Sequence, residues 1–194
     1  MAWVWYGRLD TAYRPAEVDD GSPVHPAQFK SFERAPLTLG TPAFKIKAPL
    51  KSVEKLHCPP VGLPPAVDVV WQQIILNYVP QDLVQFIPIR INCRDGTSER
   101  YSLVLPLAPV RCIDPERSDV TSKIEREDTT LIFGCDFYVH HPDCLNGNHL
   151  ARDEQKPSHI VISNELRDAL AATGESSMFY QPEDLPLPGG RILH

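Results

Sequence analysis

From Leu83 to Cys93 apolar and polar side chains alternate with a period of two, placing Ile87, Ile89, Ile91 and Cys93 on one face. Asp95-Gly96 then gives a strong turn signal before Tyr101, Leu103 and Leu105, so the pattern predicts a β-hairpin. Leu131, Phe133, Cys135, Phe137 and Val139 alternate in the same way, with Ile132, Asp136 and Tyr138 opposite, and predict a third strand. Ahead of the hairpin the period lengthens. Val67, Val70, Trp71, Ile74 and Tyr78 recur three and four apart, opposite Asp68, Gln72, Gln73 and Asn77, which predicts an amphipathic helix ended by Pro80.

The C-terminal third is well punctuated. Ile160, Val161 and Ile162 run into Ser163, a residue suited to capping a helix, and Gly174 stands where a left-handed residue would close that helix. Met178 to Gln181 then reads as a returning strand. Elsewhere the signal is weaker: short strands at Trp3 to Tyr6 and around Ala43 to Lys47, and an edge or bulged strand from Val110 to Ile113 behind Pro106 and Pro109. His140 to Pro157 reads as a long polar excursion rich in turns. Together these elements predict an α+β fold: an antiparallel sheet with helices packed on one face, closed by a C-terminal strand-helix-strand unit. We expect one domain over residues 1–182 and a flexible tail over 183–194. Its core should hold Val70, Trp71, Ile74, Ile87, Ile89, Leu103, Phe133, Phe137, Ile160, Ile162, Leu166 and Leu170.

Composition narrows the possibilities. A chain of 194 residues can build one sizeable core, and its 20 prolines, roughly twice the usual share, imply rigid loops and interrupted strands. Nineteen basic against 25 acidic residues give a net charge of −6, which disfavours a nucleic-acid binder that must neutralise phosphates. The charge is unevenly spread. Lys30 to Lys55 carries six basic and two acidic residues, whereas Asp114 to Asp128 carries six acidic and three basic ones. Met1 to Tyr6 is too short and lacks the basic start of a signal peptide, and no window approaches the length of a membrane span. A cytoplasmic protein is expected, with its five cysteines reduced and no structural disulfide.

Candidate chemistry is sparse. His140, His141, Asp143, Cys144 and His149 are all potential zinc ligands, but Pro142 and the turn residues after it prevent the helical spacing that would align them. We therefore expect no bound metal. A thiol nucleophile at Cys58 or Cys144 lacks a visible activator, since Asp143 would raise the Cys144 thiol and Cys58 precedes two prolines. Ser163 follows a strand and opens a helix, yet it lacks the glycines of a nucleophile elbow, and capping explains it. Trp3 and Trp5 share one strand face with Val4 and Tyr6 on the other, so one pair is exposed unless that strand is central.

Three stretches carry a family resemblance. They are Val79-Pro80-Gln81-Asp82-Leu83-Val84-Gln85-Phe86 entering a strand, the element Cys112-Ile113-Asp114 with Arg117-Ser118, and Ser163-Asn164-Glu165-Leu166-Arg167-Asp168-Ala169-Leu170 after the last long apolar run. Over roughly residues 60 to 182 the chain resembles the eleventh immunity-protein family of bacterial polymorphic toxin systems. The resemblance implies a non-enzymatic immunity protein that binds and neutralises a cognate toxin domain, needs no cofactor and has no nucleic-acid or membrane partner. No catalytic residue is assigned. The expected toxin contact is the acidic segment with Asp114, Glu116, Asp119, Glu125, Glu127 and Asp128, which would steer a basic partner. The alternative is a small metal- or thiol-dependent hydrolase using the cluster from His140 to His149.

Overall fold

The computed structural model describes residues 2–7, 14–29, 31–125 and 130–185. Its strands in chain order are β1 (Ala2–Trp5), β2 (Glu17–Val18), β3 (Ala43–Lys45), β4 (Ala66–Val67), β5 (Val84–Pro88), β6 (Arg90–Cys93) and β7 (Gly96–Ser98). They continue as β8 (Ser102–Pro106), β9 (Pro109–Val110), β10 (Ser122–Glu125), β11 (Thr130–Gly134), β12 (Leu150–Asp153), β13 (Ile160–Ser163) and β14 (Phe179–Tyr180). Among the described residues three α-helices accompany them: α1 (Leu50–Val53), α2 (Val69–Tyr78) and α3 (Asn164–Ala171). The α+β class is the one the sequence predicts. The strands divide into four hydrogen-bonded groups, ordered β14-β1-β13-β12-β9, β2-β3-β6-β7, β4-β8-β5 and β10-β11. The pairings are antiparallel except for β9 with β12 and β3 with β6.

β1 lies inside the five-stranded sheet between β13 and β14, so both of its edges are paired, while its faces pack in two clusters, Trp5 with Trp71 and Val4 with Ile113 and Ile132. Val4 and Trp5 are consequently both buried, and Trp5 meets Trp71 and Phe179 edge-on at 5.9 and 5.6 Å. Trp3 is only half-buried; its indole N–H donates to Asn164 Oδ1 at 2.7 Å and Arg167 lies over its ring. The predicted strand-helix-strand unit is present as β13, α3 and β14, with β1 inserted between the two strands. Ser163 caps α3 through its Oγ, which accepts the Leu166 N–H at 3.2 Å, and Gly174 adopts φ +97° just past the last turn. Eight residues of the predicted core are buried: Trp71, Ile87, Ile89, Leu103, Ile160, Ile162, Leu166 and Leu170.

The other four differ, for two reasons. Helix α2 starts at Val69 because Asp68 caps it, its Oδ1 accepting the Trp71 N–H at 3.1 Å, while Val67 belongs to β4. Apolar residues surround this helix on most sides, so spacing alone does not fix its inner face. Trp71 and Ile75 point inward, Ile74 is half-buried, and Val70 is 43% exposed. The predicted third strand ends early. β11 stops at Gly134, where a Cβ would lie 2.6 Å from Thr121 Oγ1, and the alternation slips. Ile132 and Tyr138 are buried, Phe137 is half-buried, and Phe133 is 60% exposed.

The polar excursion from His140 to Pro157 hides β12, where two adjacent charged residues are fully buried. The Arg152 guanidinium donates to the carbonyls of Pro106 (2.7 Å), Phe29 (2.9 Å) and Ser31, and lies 4.7 Å from the centre of the Phe32 ring. The Asp153 carboxylate accepts four backbone N–H groups, from Cys112, Ile113, Gln155 and Lys156. A buried charge persists only with such partners. These two side chains tie the N-terminal arm and the 112–113 segment to the five-stranded sheet. Towards the C-terminus Glu183 and Asp184 are exposed and Leu185 is buried; residues 186–194 of the expected tail lie outside the described residues.

Candidate functional site

The acidic segment is not a uniform loop. Asp114 is buried, 8% exposed, and its carboxylate faces its own turn: Oδ1 accepts the N–H groups of Glu116 (3.1 Å) and Arg117 (3.2 Å), and His141 Nδ1 lies 3.5 Å from Oδ2. An aspartate so engaged shapes the chain and offers little to a partner. Glu116 and Asp119 are exposed, and Asp119 is held by backbone bonds to Phe137 and Asp136 at 2.9 and 2.8 Å. Glu125 stands on β10, exposed, with Lys123 Nζ at 2.6 Å; that hydrogen bond and charge hold its carboxyl below the usual range. Glu127 and Asp128 lie outside the described residues. The structure thus presents Glu116, Asp119 and Glu125 to solvent and withdraws Asp114.

β10 and β11 form a two-stranded hairpin in which Ile124 faces Leu131 and Lys123 faces Ile132. Ile132 turns to the core while Ile124 and Leu131 stand opposite each other, and Phe133, the extra residue where the register shifts between Ser122 and Lys123, is exposed. Ile124 is 50% exposed and Phe133 60%. Beside this face lies a groove of about 510 Å³ lined by Leu131, Phe133, Phe29, Leu63, Pro64 and Lys156. Lys156 Nζ donates to the Phe133 carbonyl at 3.1 Å and sets a cation at the groove's edge. An aromatic anchor beside an apolar groove, bordered by charges, has the composition of a protein-binding hot spot. Sequence reading missed it because it placed Phe133 in the core; the glycine at 134, where the strand breaks, is the residue that carried the signal.

A second cavity, of about 560 Å³, opens between the segment from His140 to His149 and the N-terminus of α3. His149 Nδ1 lies 2.8 Å from Ser163 Oγ, which already caps α3, so the serine is fixed by two structural bonds. His140 and His159 meet Nε2 to Nε2 at 2.8 Å, one donating and the other accepting. Burial pushes His140 down to about 4 and His159 well below its ordinary value, so the pair is neutral near pH 7. Against expectation, Cys112 and Cys144 are joined by a disulfide. They meet because the His141 N–H donates to the Cys112 carbonyl at 2.8 Å and folds the later segment back onto the earlier one. An odd cysteine count argues only that at least one thiol stays out of a disulfide; Cys93 and Cys135 are free thiols here. Burial raises the Cys93 and Cys135 thiols, the opposite of what a nucleophile requires.

The exposed Phe133 beside an apolar groove is the kind of surface a protein partner can use. The sequence matches the Immunity protein family (Imm11) over residues 73–183, more than half of its length, and the chain belongs to that family. The matched range contains the C-terminal part of α2, the β10–β11 hairpin, most of the imidazole cavity and the C-terminal strand-helix-strand unit. No curated protein matches the chain. No helix among the described residues is long and apolar enough to cross a membrane.

Proposed function

We propose that this immunity-family protein acts in the cytoplasm as a single folded unit that binds a cognate toxin domain and blocks it sterically, without catalysis. Membership in the family supports an immunity role and implies a protein toxin as partner. The observation that carries the contact is the outer face of the hairpin, where Phe133 and Ile124 stand exposed next to an apolar groove. Glu116, Asp119 and Glu125 occupy the flanking segment and give this side the charge to draw in a basic toxin surface. Here an apolar centre supplies lifetime and a charged border supplies capture rate.

The test pairs the chain with the toxin domain encoded beside it. Co-expression should restore growth, and the purified proteins should form a complex. Phe133→Ser leaves the core untouched, so this variant should stay folded while the complex dissociates at least about tenfold faster, in line with the loss of a hot-spot aromatic. Dissociation at the wild-type rate would remove the hairpin from the interface. Failure of the wild-type protein to bind or protect would remove the neutralising role.

A further inference from the structure

We propose that Cys112, Cys144 and His140 bind one thiophilic divalent cation, Zn²⁺ in the cell, once the Cys112–Cys144 bond is reduced. One ligand atom from each of the three residues lies within 4.8 Å of the others. Zinc bonds of about 2.0–2.3 Å to nitrogen and sulfur place neighbouring ligands about 3.3–3.8 Å apart, so the three atoms converge on one ion after a shift of about 1 Å. Spacing within residues 140 to 149 does not reveal this set, because its third member comes from a strand exit thirty-two residues before Cys144. Two thiolates and an imidazole form a donor set of the softness that selects Zn²⁺ over Mg²⁺ or Ca²⁺.

The surroundings fit this use. His140 Nε2 is engaged by His159, which orients the ring and leaves Nδ1 as the nitrogen available to an ion. That Nδ1 is buried and makes no hydrogen bond of good geometry, although the Ala2 backbone lies close enough to favour the ring's charged form. Cys112 is held in place by its own backbone: its N–H donates to Asp153 at 2.7 Å and its carbonyl accepts from His141 at 2.8 Å. Such outer contacts orient metal ligands. Cys144 sits among successive turns, with Asp143 and Asn146 at positive φ, so this is the side that adjusts as the sulfurs part. His140 and Cys144 both line the 560 Å³ cavity, which supplies a route for the ion and room for a water as fourth ligand.

The chemistry closes. A cellular dithiol gives two electrons and two protons to the Cys112–Cys144 bond, yielding two thiols and the dithiol's own disulfide. Metal binding then releases the two thiol protons as the sulfurs become thiolates. In a reducing compartment the cross-link does not persist, and the ion takes over its role of clasping the segment from His140 to His149 against residue 112. This proposal stands independently of toxin binding.

The test uses the full chain, reduced with a dithiol and freed of it anaerobically, then titrated with Co²⁺. One equivalent should produce thiolate-to-cobalt charge-transfer bands and the visible bands of a tetrahedral ion, absent from the oxidised chain. Cys144→Ser and His140→Gln should each weaken binding by about tenfold or more, while Cys93→Ser should not. Should a variant misfold, alkylation of the wild type decides: bound Zn²⁺ should shield Cys112 and Cys144 but not Cys93, read by peptide mass. Absence of thiolate bands at stoichiometric metal, bands unaltered by Cys144→Ser, or alkylation of Cys144 at an unchanged rate would each overturn the site.

Discussion

The carboxylate of Asp153 accepts the backbone N–H of Cys112 at 2.7 Å, linking the last residue of β12 to the segment that carries the cystine. The same Oδ2 takes the Ile113 N–H at 2.9 Å, while Oδ1 takes those of Gln155 and Lys156 at 2.8 and 3.1 Å. One side chain thereby closes two turns of backbone in a site where water is excluded. Removing it strands buried donors, and each costs about 1–3 kcal/mol. Asp153→Ala should therefore lower stability by at least about 3 kcal/mol, read from the denaturant midpoint. Asp153→Asn should cost less, since one acceptor oxygen remains. Equal losses for the two variants would show that the charge, not the count of accepted bonds, is what matters.

Its neighbour makes the reverse arrangement. Arg152 reaches three carbonyls on two segments, that of Pro106 and two in the arm that carries Phe29 and Ser31. Replacing it with Met keeps much of the volume but leaves those carbonyls without their donor. Arg152→Met should lose roughly 3 kcal/mol. Amide exchange should then quicken first around residues 29 to 32, while the amides of β1 stay protected. Uniform quickening across the chain would mean that the arm is integral to the core and not tied on by the guanidinium.

What was legible in the sequence, and what was not, follows from local determinacy. Ser163 and Gly174 punctuate α3 by backbone chemistry that needs no tertiary partner, and Ile87, Ile89 and Leu103 alternate because a β-hairpin imposes it. Phe133 and Ile132 exchanged faces because the β10–β11 register shifts between Ser122 and Lys123, next to Gly134, and leaves Phe133 as the extra residue. β12 was invisible because both of its faces are buried and carry Arg152 on one and Asp153 on the other, residues that read as solvent-exposed until their long-range acceptors and donors are known. The site shows the same division. Glu116, Asp119 and Glu125 could be picked out by charge alone, whereas the inward turn of Asp114 and the meeting of Cys112 with Cys144 depend on the folded path.

Gly134 offers a direct test of the hairpin. A Cβ there would lie 2.6 Å from Thr121 Oγ1 and 3.3 Å from Ser122 Cβ, so Gly134→Ala overpacks the base of the hairpin. The expected cost is about 1–3 kcal/mol. Thr121→Ala removes the closest atom, and the double variant should recover most of the loss. A thermal melt of the four proteins measures the coupling, and additive losses would mean that the contact is not the reason for glycine.

The acidic border should act on capture more than on lifetime. Glu116, Asp119 and Glu125 are exposed, so their pairs contribute little to the fold and their reversal should leave the protein intact. The variant Glu116→Lys, Asp119→Lys, Glu125→Lys moves the net charge from −6 to 0, since each reversal adds two units. If these groups steer a basic toxin, the association rate at low salt should fall by about tenfold or more, with the dissociation rate nearly unchanged. Raising the salt to about 1 M shortens the screening length to about 3 Å and should bring the two proteins' association rates together. Asp114→Asn, by contrast, touches an internally bonded carboxylate and should alter stability but not steering. Stopped-flow association at several salt concentrations separates these outcomes. A wild-type rate in the triple variant would place the toxin on another face.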